Sequence, residues 1–366
     1  MEFSSQDFEW MSQALALAER AQPIAMPNPA VGCVLVRDGE VIGEGYTQPV
    51  GHDHAEVQAV KNAYARGFDL KGATAYVTLE PCSHYGRTPP CALRLIKEQV
   101  ARVVVACLDP NPLVAGRGVR MLEEAGIRVD VGLLEDEAWH SNAGFMTRMV
   151  KKRPWVRMKV AMSLDGQTAL ANGVSQWITG PQARADGHRY RAKSGAIVTG
   201  IGTVLADDPQ MTVRLDGHAC DRQPLKVILD SDLKIPLTAK ILNGAVLVVT
   251  RDDSTQKACD LRARGVDVLA LPGEDGRIDL AALLDELGRR EINDVHLEAG
   301  AILNGAFLDA DLVDEMVVYM APKVLGDGRG AFNIATLSSL EGVRQWKIRQ
   351  VQSVGSDLRI NLTKGD

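Results

Sequence analysis

Three residues from separate segments, His54, Cys82 and Cys91, constrain this 366-residue chain more than anything else in it. A histidine and two cysteines are the ligands a catalytic zinc takes when its fourth position stays open to water. Eight residues separate the two cysteines, whereas structural sites usually draw close Cys-x2–4-Cys pairs. The fold must therefore gather the three from different elements. Cys82 stands just after a strand expected at 74–79, where open α/β sheets place their ligands. Cys91 opens a helix behind Pro89-Pro90, with proline well placed at a helix start. His54 stands at the entrance to another helix, so all three can converge from one sheet edge. The positive end of a helix favours the thiolate that a metal requires. Two thiolates and a neutral imidazole cancel the charge of Zn²⁺ while still acidifying bound water, from about 15.7 to roughly 7. Glu56, a poor fourth ligand, is placed to take a proton from that water.

Around these residues the pattern alternates between helix and strand. An opening helix over about 4–20 sets Phe8, Met11, Leu15 and Ala18 on one face. Strands at 32–37 and 41–46 are joined by the Asp38-Gly39 hairpin signal. Helix 55–66, strand 74–79, helix 90–98, strand 102–107, helix 118–125 and strand 128–132 follow. Such alternation argues for an α/β sandwich with a largely parallel sheet. Between about 139 and 154 the pattern stops, and the basic run from Arg148 to Arg153 reads as a solvated linker. This divides the chain into domains at 1–147 and 154–366. The second half restarts with strand 155–162 and the turn Ser163-Leu164-Asp165-Gly166. Strands follow at 196–199, 225–230, 245–250, 266–271, 294–298 and 315–321, with an antiparallel pair at 345–353 and 357–363. Helices at 182–193 and 279–290 intervene.

Charge narrows the substrate. Residues 1–150 carry 13 Lys+Arg against 19 Asp+Glu, a balance of −6, while the remainder carries 28 of each. A nucleic-acid binder needs clustered cations, so a small heterocycle is favoured over a polynucleotide. No apolar run approaches the ~20 residues of a membrane span, and the N-terminus lacks signal-peptide order. Cytoplasm is the expected location, with the six cysteines as thiols or ligands. Cys33 and Cys107 read as buried thiols, and Cys220 and Cys259 have no ligand-type neighbours. His140, His188, His218 and His296 are isolated and read as surface or packing residues. The competing view of the metal is a structural zinc completed by His52 or His84.

His-x-Glu followed by Pro-Cys and a second Cys is the general signature of zinc nucleobase deaminases. A longer set of residues resembles a narrower family, the bifunctional deaminase–reductases of riboflavin biosynthesis. It comprises Pro27-Asn28-Pro29-Ala30-Val31-Gly32, His54-Ala55-Glu56, the run from Glu80 to Cys91 (EPCSHYGRTPPC), and Asp109-Pro110-Asn111-Pro112 with Gly116 and Gly118. The likeness covers nearly the whole chain. It implies a cytidine-deaminase-like α/β/α sandwich with one zinc on His54, Cys82 and Cys91, and Glu56 as proton carrier. Asn28 offers a donor and an acceptor to a pyrimidine edge, and His84 and Arg87 are suited to the ribose phosphate. One position departs: where the family often has a histidine seven residues before the zinc histidine, this chain has Thr47, so a contact to the phosphoribosyl group is either lost or made by His52 instead.

The second half has no Gly-x-Gly-x-x-Gly fingerprint, only glycine-bearing strand exits at Gly200-Ile201-Gly202-Thr203 and Gly300–Gly305. Glycines let backbone amides approach a pyrophosphate. Here the resemblance rests on Met162–Gly166, Ser175-Gln176-Trp177-Ile178-Thr179, Thr203–Pro209 and Leu297-Glu298-Ala299-Gly300. It implies a reductase of dihydrofolate reductase fold using NADPH. The implied cofactor contacts are Ala161, Trp177, Thr203, Asp207 and the turn Gly300, Ala301, Ile302, Leu303, Asn304, Gly305 and Ala306. Ser175, Arg191, Met211, Arg214 and Glu298 would hold the substrate, with Arg191 and Arg214 as phosphate clamps. Ser231 and Arg251 end adjacent strands and are candidates for the cofactor's 2′-phosphate. Hydride would pass to C1′ of the open-chain ribosylamine, with Asp207 or Glu298 near the proton. Small phosphoribosylated pyrimidines as substrates, a homo-oligomer (dimer or tetramer), and neither nucleic acid nor membrane complete the expectation.

Overall fold

The computed structural model describes residues 2–85, 89–111, 115–215, 218–219 and 222–365, which fall into two units, Met1–Lys152 and Arg153–Asp366. The first begins with α1 (Ser5–Ala25), started by Ser4, whose side chain and that of Asp7 cap each other's backbone reciprocally. Its buried face is Met11, Ala14, Leu17, Ala18 and Ala21, while Phe8 is exposed. The expected face was therefore rotated. Small alanines lie inward because the helix presses on the sheet backbone: a Cβ on Gly32 would stand 1.8 Å from the Ala14 carbonyl oxygen.

Strands β1 (Gly32–Arg37) and β2 (Glu40–Tyr46) form the expected hairpin, with Asp38 and Gly39 both at positive φ. Next come α2 (Ala55–Ala65), β3 (Thr74–Val77), α3 (Cys91–Lys97), β4 (Arg102–Val105), α4 (Arg117–Glu124) and β5 (Arg128–Val131). The sheet order is β2-β1-β3-β4-β5. It is mixed rather than largely parallel, because β1 pairs antiparallel with both β2 and β3 and only β3-β4-β5 run parallel. Gly32 faces α1 whereas Gly43 and Gly45 face α2. Since Gly32 pairs with Tyr46, the neighbour of Gly45, the two helices lie on opposite faces. This is the α/β/α sandwich. The expected break after residue 139 is instead helical, α5 (Glu135–Ser141) and α6 (Ala143–Lys151). The basic run is no solvated linker either. Arg148 donates to the Pro27 carbonyl at 3.1 Å, and Arg153 forms a largely buried pair with Asp314 at 2.6 Å.

The second unit holds β6 (Trp155–Ser163), β7 (Gln167–Leu170), α7 (Pro181–Ala192), β8 (Ala196–Gly200), α8 (Ile201–Asp207), β9 (Arg214–Leu215), β10 (His218–Ala219), β11 (Leu225–Leu229) and β12 (Val246–Thr250). It continues with α9 (Gln256–Arg262), β13 (Asp267–Ala270), α10 (Leu280–Arg289), β14 (Asp294–Leu297), α11 (Ala301–Asp309), β15 (Glu315–Ala321), β16 (Gly328–Gly330), β17 (Trp346–Val354) and β18 (Asp357–Lys364). Nine strands form one sheet in the order β13-β12-β11-β8-β14-β6-β15-β18-β17. It is parallel from β13 to β15 and closes with the expected antiparallel pair. The central strands are apolar at successive positions because both faces are covered. Val227, Leu229, Leu247 and Val249 enter one core, and Ile228, Val246 and Val248 the other. All seven parallel strands deliver their C-terminal ends to one edge, where such sheets bind ligands.

Candidate active sites

In the first unit two helix starts and the segment that follows β3 bring the three ligands together. His54 is the residue before α2, and Glu56 lies in that helix's first turn. A Cβ on Gly45 would stand 2.3 Å from the Ala55 carbonyl oxygen, so β2 must carry glycine there to let α2 settle onto the sheet. Cys91 opens α3, whose first N–H groups hold the opposite segment: Cys91 N–H donates to Cys82 Sγ at 3.3 Å and Ala92 N–H to the Cys82 carbonyl at 3.2 Å. The ligand atoms of His54, Cys82 and Cys91 lie within 4.8 Å of one another. His54 Nδ1 is 3.6 Å from Cys82 Sγ and 3.4 Å from Cys91 Sγ. A tetrahedral zinc, with bonds of about 2.3 Å to sulfur and about 2.0 Å to nitrogen, separates its donors by roughly that much. The donor set fits zinc. Among the described residues neither His52 nor His84 belongs to the cluster, so the structural alternative lacks its fourth ligand.

Glu56 is buried beside this cluster, and burial together with the neighbouring Cys82 sulfur pushes its carboxyl up to about 7. Hydrogen bonds from Cys91 and His54 hold the Cys82 thiol well below its ordinary value. Glu80, to which the motif reading gave no role, is the anchor of the next loop. Its buried carboxylate accepts from Gly116 N–H at 2.8 Å, Gly118 N–H at 2.9 Å and Asp109 N–H at 3.3 Å. Gly118 is the tightest point, because a Cβ there would stand 2.0 Å from the Pro81 carbonyl oxygen.

Asn28 sits half-buried on the loop leading into β1. That loop is clamped by Asn142, which accepts from Ala30 N–H at 2.7 Å and donates to the Ala30 carbonyl at 2.8 Å. Thr47 is buried, and its hydroxyl accepts from Val31 N–H at 3.0 Å. It ties β2 to the same loop, a packing role in place of a solvent-facing contact. His52 and His84 are exposed, and Arg87 lies outside the described residues, as does Cys220. Cys33 and Cys107 are buried thiols as expected.

In the second unit the candidates gather along the C-terminal edge of the sheet. Glu298 follows β14, beside Lys159 of β6. Arg191 of α7 meets it in a fork, Nε at 2.5 Å and a terminal nitrogen at 2.8 Å, and also donates to the Thr212 carbonyl at 2.9 Å. Burial works to raise the Glu298 carboxyl, but the Arg191 guanidinium overrides it and holds the group well below the usual carboxylate range. Arg191 is thus engaged by an internal carboxylate. Arg214 is exposed, and its backbone N–H donates to His188 Nδ1 at 3.2 Å. Met211 is buried with its sulfur 3.6 Å from Arg191.

His296 is fully buried, 3.1 Å from Glu298 and stacked on Tyr190. Neither it nor His188 is the isolated residue the sequence suggested. Lys159 was missed, although a lysine between Met158 and Val160 in a buried strand was a signal; burial holds its ammonium below the ordinary value.

The edge itself has the openness a dinucleotide needs. Nothing lies within 4 Å of where a Cβ would stand on Gly202 or Gly300. Trp177 is 63% exposed, with the Arg184 guanidinium 4.3 Å from its ring centroid and its backbone carbonyl held by Lys323. Gln176 reaches Asp207 at 3.3 Å, joining that loop to the end of α8. Ala161 and Thr203 are half-buried at the same edge, Ala301, Leu303 and Ala306 are half-buried on α11, and Ile302 is exposed. Asn304 and Gly305 face inward instead: the Asn304 amide donates to the Ala299 and Ala331 carbonyls, and Gly305 packs against Asn333. Ser175 and Ser231 are half-buried and Arg251 is exposed.

Comparison with known proteins finds a family for a segment in each half of the chain. Residues 154–360 match the RibD C-terminal domain, and residues 4–107 match the zinc-binding region of cytidine and deoxycytidylate deaminases. The chain is 45% identical to the riboflavin biosynthesis protein RibD of Haemophilus influenzae, over 99% of each chain. It is 46% identical to that of Escherichia coli, over 98% of this chain and 99% of the other. Among solved structures, Acinetobacter baumannii RibD superposes with a TM-score of 0.87 at 47% identity, covering 99% of both chains. A diaminohydroxyphosphoribosylaminopyrimidine deaminase/5-amino-6-(5-phosphoribosylamino)uracil reductase from Thermotoga maritima gives 0.88 at 33% identity, covering 98% of this chain and 99% of the other.

Proposed function

The chain belongs to the RibD family of riboflavin biosynthesis proteins, and on that premise we infer which reaction each unit carries out and with which residues. It is a bifunctional enzyme, with a deaminase unit that uses zinc and a reductase unit that uses NADPH. The first unit deaminates 2,5-diamino-6-(5-phosphoribosylamino)pyrimidin-4-one. The second reduces the ribosyl group of the resulting 5-amino-6-(5-phosphoribosylamino)uracil to the ribitylamine. The observation that carries the first assignment is the convergence of His54, Cys82 and Cys91 beside a buried Glu56.

When bound there, zinc polarises a water molecule and lowers its pKa toward 7. Glu56 would take one proton of that water and pass it to the pyrimidine ring nitrogen, then carry the water's second proton to the departing amine, so that one water gives the ring carbonyl and ammonia. Its burial keeps the carboxyl near the pKa that such two-way transfer needs. Asn28 presents its amide to the pyrimidine edge from a loop that Asn142 and Thr47 immobilise. His84, with Arg87, is assigned to the phosphate.

NADPH supplies the hydride for the second step. Gly300, Ala301, Ile302, Leu303 and Thr203 receive the pyrophosphate region, and Trp177, Ala161 and Asp207 border the nicotinamide. Glu298 accepts from the pyrimidine, and Lys159 holds the proton that the reduced amine takes up. Burial destabilises the Lys159 ammonium, so it gives up its proton more readily than a solvated lysine would. Ser175, Met211 and Arg214 line the substrate side, with Arg191 setting the Glu298 carboxylate.

Among the described residues no helix is long and apolar enough to cross a membrane. A cytoplasmic location and a homo-oligomer, dimer or tetramer, belong to this proposal. The edge strand β17 exposes Ile348 and Val351, which favours self-association. Light scattering on the purified chain checks it. For the catalytic reading, the phosphoribosylaminopyrimidine is supplied with and without NADPH. Ammonia release in both, with NADPH oxidation only in the second, is the expected result. NADPH oxidation without ammonia release would overturn the order of the two steps.

A further inference from the structure

His296 has no part in the reactions above, yet it is fully buried beside one of their sites. It lies in β14, two residues before Glu298, whose N–H continues the ladder to the Val198 carbonyl at 2.9 Å. Both side chains therefore leave the strand on the same face. The register partner of His296 in β6 is Arg157, and Lys159 stands two positions further along that strand. From α7, Tyr190 stacks over the imidazole with ring centroids 6.4 Å apart, and Arg191 grips Glu298. His296 Nε2 lies 3.1 Å from Glu298 Oε1 in a bent contact, and Nδ1 has no partner among the described residues.

Burying a ring nitrogen without a partner has a free-energy cost that an apolar side chain of similar size does not incur. Packing alone therefore does not account for a histidine here. Burial, and then the charges of Arg157 and Arg191, hold the imidazole below its ordinary value against the pull of Glu298. The ring is neutral and carries one N–H. With a carboxylate oxygen facing Nε2, the N–H sits there and Nδ1 is the bare acceptor.

That single N–H makes the two oxygens of Glu298 unequal. Each carboxylate oxygen has about two lone-pair sites. Oε1 meets Arg191 Nε at 2.5 Å and His296 Nε2 at 3.1 Å, whereas Oε2 meets one terminal nitrogen of Arg191 at 2.8 Å. Arg191 alone grips both oxygens and sets no difference between them. We propose that His296 is a positioning residue of the reductase, its Nε2–H filling the last site on Oε1 so that Glu298 offers Oε2 to a donor group of the pyrimidine. The inference rests on the reading in which Glu298 accepts from the substrate. Without His296 the carboxylate has a spare site on each oxygen, and substrate can be received in two orientations, of which one sets C1′ against the hydride.

His296→Leu removes the N–H at similar volume and leaves Arg191 paired with Glu298. With the full chain and 5-amino-6-(5-phosphoribosylamino)uracil, kcat/KM for NADPH oxidation should fall by about tenfold to a hundredfold, the worth of one hydrogen bond to a charged group. NADPH binding, by calorimetry, should stay within about twofold. The melting temperature should hold or rise, as it does where a polar group kept for function is replaced by an apolar one. A residue that only supports the fold gives the reverse, an earlier melt with turnover per folded molecule preserved. His296→Gln, whose side-chain amide N–H extends about as far as Nε2, should recover most of the lost kcat/KM. Unchanged kcat/KM, an earlier melt or failure to fold in His296→Leu, or no recovery in His296→Gln, overturns the proposal. If the unsubstituted chain does not oxidise NADPH, or Glu298→Gln turns over as fast as it does, the reductase reading of Glu298 falls. If Glu298→Gln is impaired and His296→Leu is not, only this inference falls.

Discussion

The two sites handle charge in opposite ways. In the deaminase unit, His54, Cys82, Cys91 and Glu56 come from two helix starts and one short segment, and the ligand atoms already sit at metal-binding distances. The cluster offers a metal one imidazole and two sulfurs, and within it the Cys82 sulfur is held by hydrogen bonds from Cys91 and His54. In the reductase unit, Arg191 is paired with Glu298, while Arg251 and Lys234 share Asp232. There the protein holds its own counter-charges. A metal tolerates no such internal competitor, whereas a large organic ligand can displace one. Removal of a group should therefore act differently in the two units: on chemistry alone in the first, on chemistry and stability together in the second.

The largest effect is expected from Glu56→Gln. Ammonia release should fall by about 10²–10⁴-fold, the contribution of a general acid–base. Zinc content, by metal analysis, and NADPH oxidation with the deaminated substrate should remain. Loss of zinc along with activity would make Glu56 a ligand and erase the contrast. Next in size is Glu298→Gln, which strands the Arg191 guanidinium in a largely buried place. Breaking such a pair costs about 3–5 kcal/mol. The reductase unit should melt earlier and lose turnover together, with ammonia release unchanged. A variant that loses turnover at unaltered melting temperature would show that Arg191 finds another partner and that the pair does not support the fold.

Much of this was legible in the sequence, and the failures have physical causes. The zinc ligands were readable because metal chemistry restricts both residue type and spacing, and the strands of the second unit because apolar runs buried on both faces have few alternatives. Asn142 was not readable: its hydrogen bonds to Ala30 span 112 residues, and no local pattern announces a clamp of that range. The segment 139–154 was taken for a break because its helices are short and strongly charged at their ends. Parallel character was overestimated because alternation cannot show that β1 enters the sheet antiparallel to β3. His188 and His296 look isolated in the chain and acquire partners only through α7 and β14. Arg191 was read as a phosphate clamp because sequence gives a cation no hint of its internal carboxylate.

A smaller effect tests how rigidly the metal centre is held. Gly118 has no room for a Cβ, since the Pro81 carbonyl oxygen would lie 2.0 Å away. Gly118→Ala must push Pro81 back, and Cys82 with it. Overpacking of this kind costs typically 1–3 kcal/mol. Weaker zinc retention against a chelator and an earlier melt of the deaminase unit are expected, with NADPH oxidation intact. Retention equal to that of the unsubstituted chain would mean the Cys82 segment moves freely, contrary to a preset site.

The smallest predicted effect separates the units by acid response. His188 is pushed down to about 4 by burial and by the charges of Arg191 and Arg214. Its folded pKa lies below the unfolded value of about 6.5, so between those values the unfolded chain binds more protons and stability rises with pH. The contribution is whole above pH ~6.5 and is lost as the pH falls to about 4. Because the imidazole is partly exposed, solvent screening limits it to about 1–2 kcal/mol. Asp294 in the same unit works the other way, its buried carboxyl raised to about 6, so the net slope of the native protein is the wrong quantity to read. The difference between native and His188→Gln melting curves cancels Asp294 and isolates the imidazole. That difference should grow against the native protein as pH drops from 6.5 to 4. In the deaminase unit Asp7, held well below the usual carboxylate range despite its burial by Arg102 and Tyr76, keeps its stabilisation until the pH falls below about 4. A pH-independent difference would remove His188 as a source of acid sensitivity in the reductase unit.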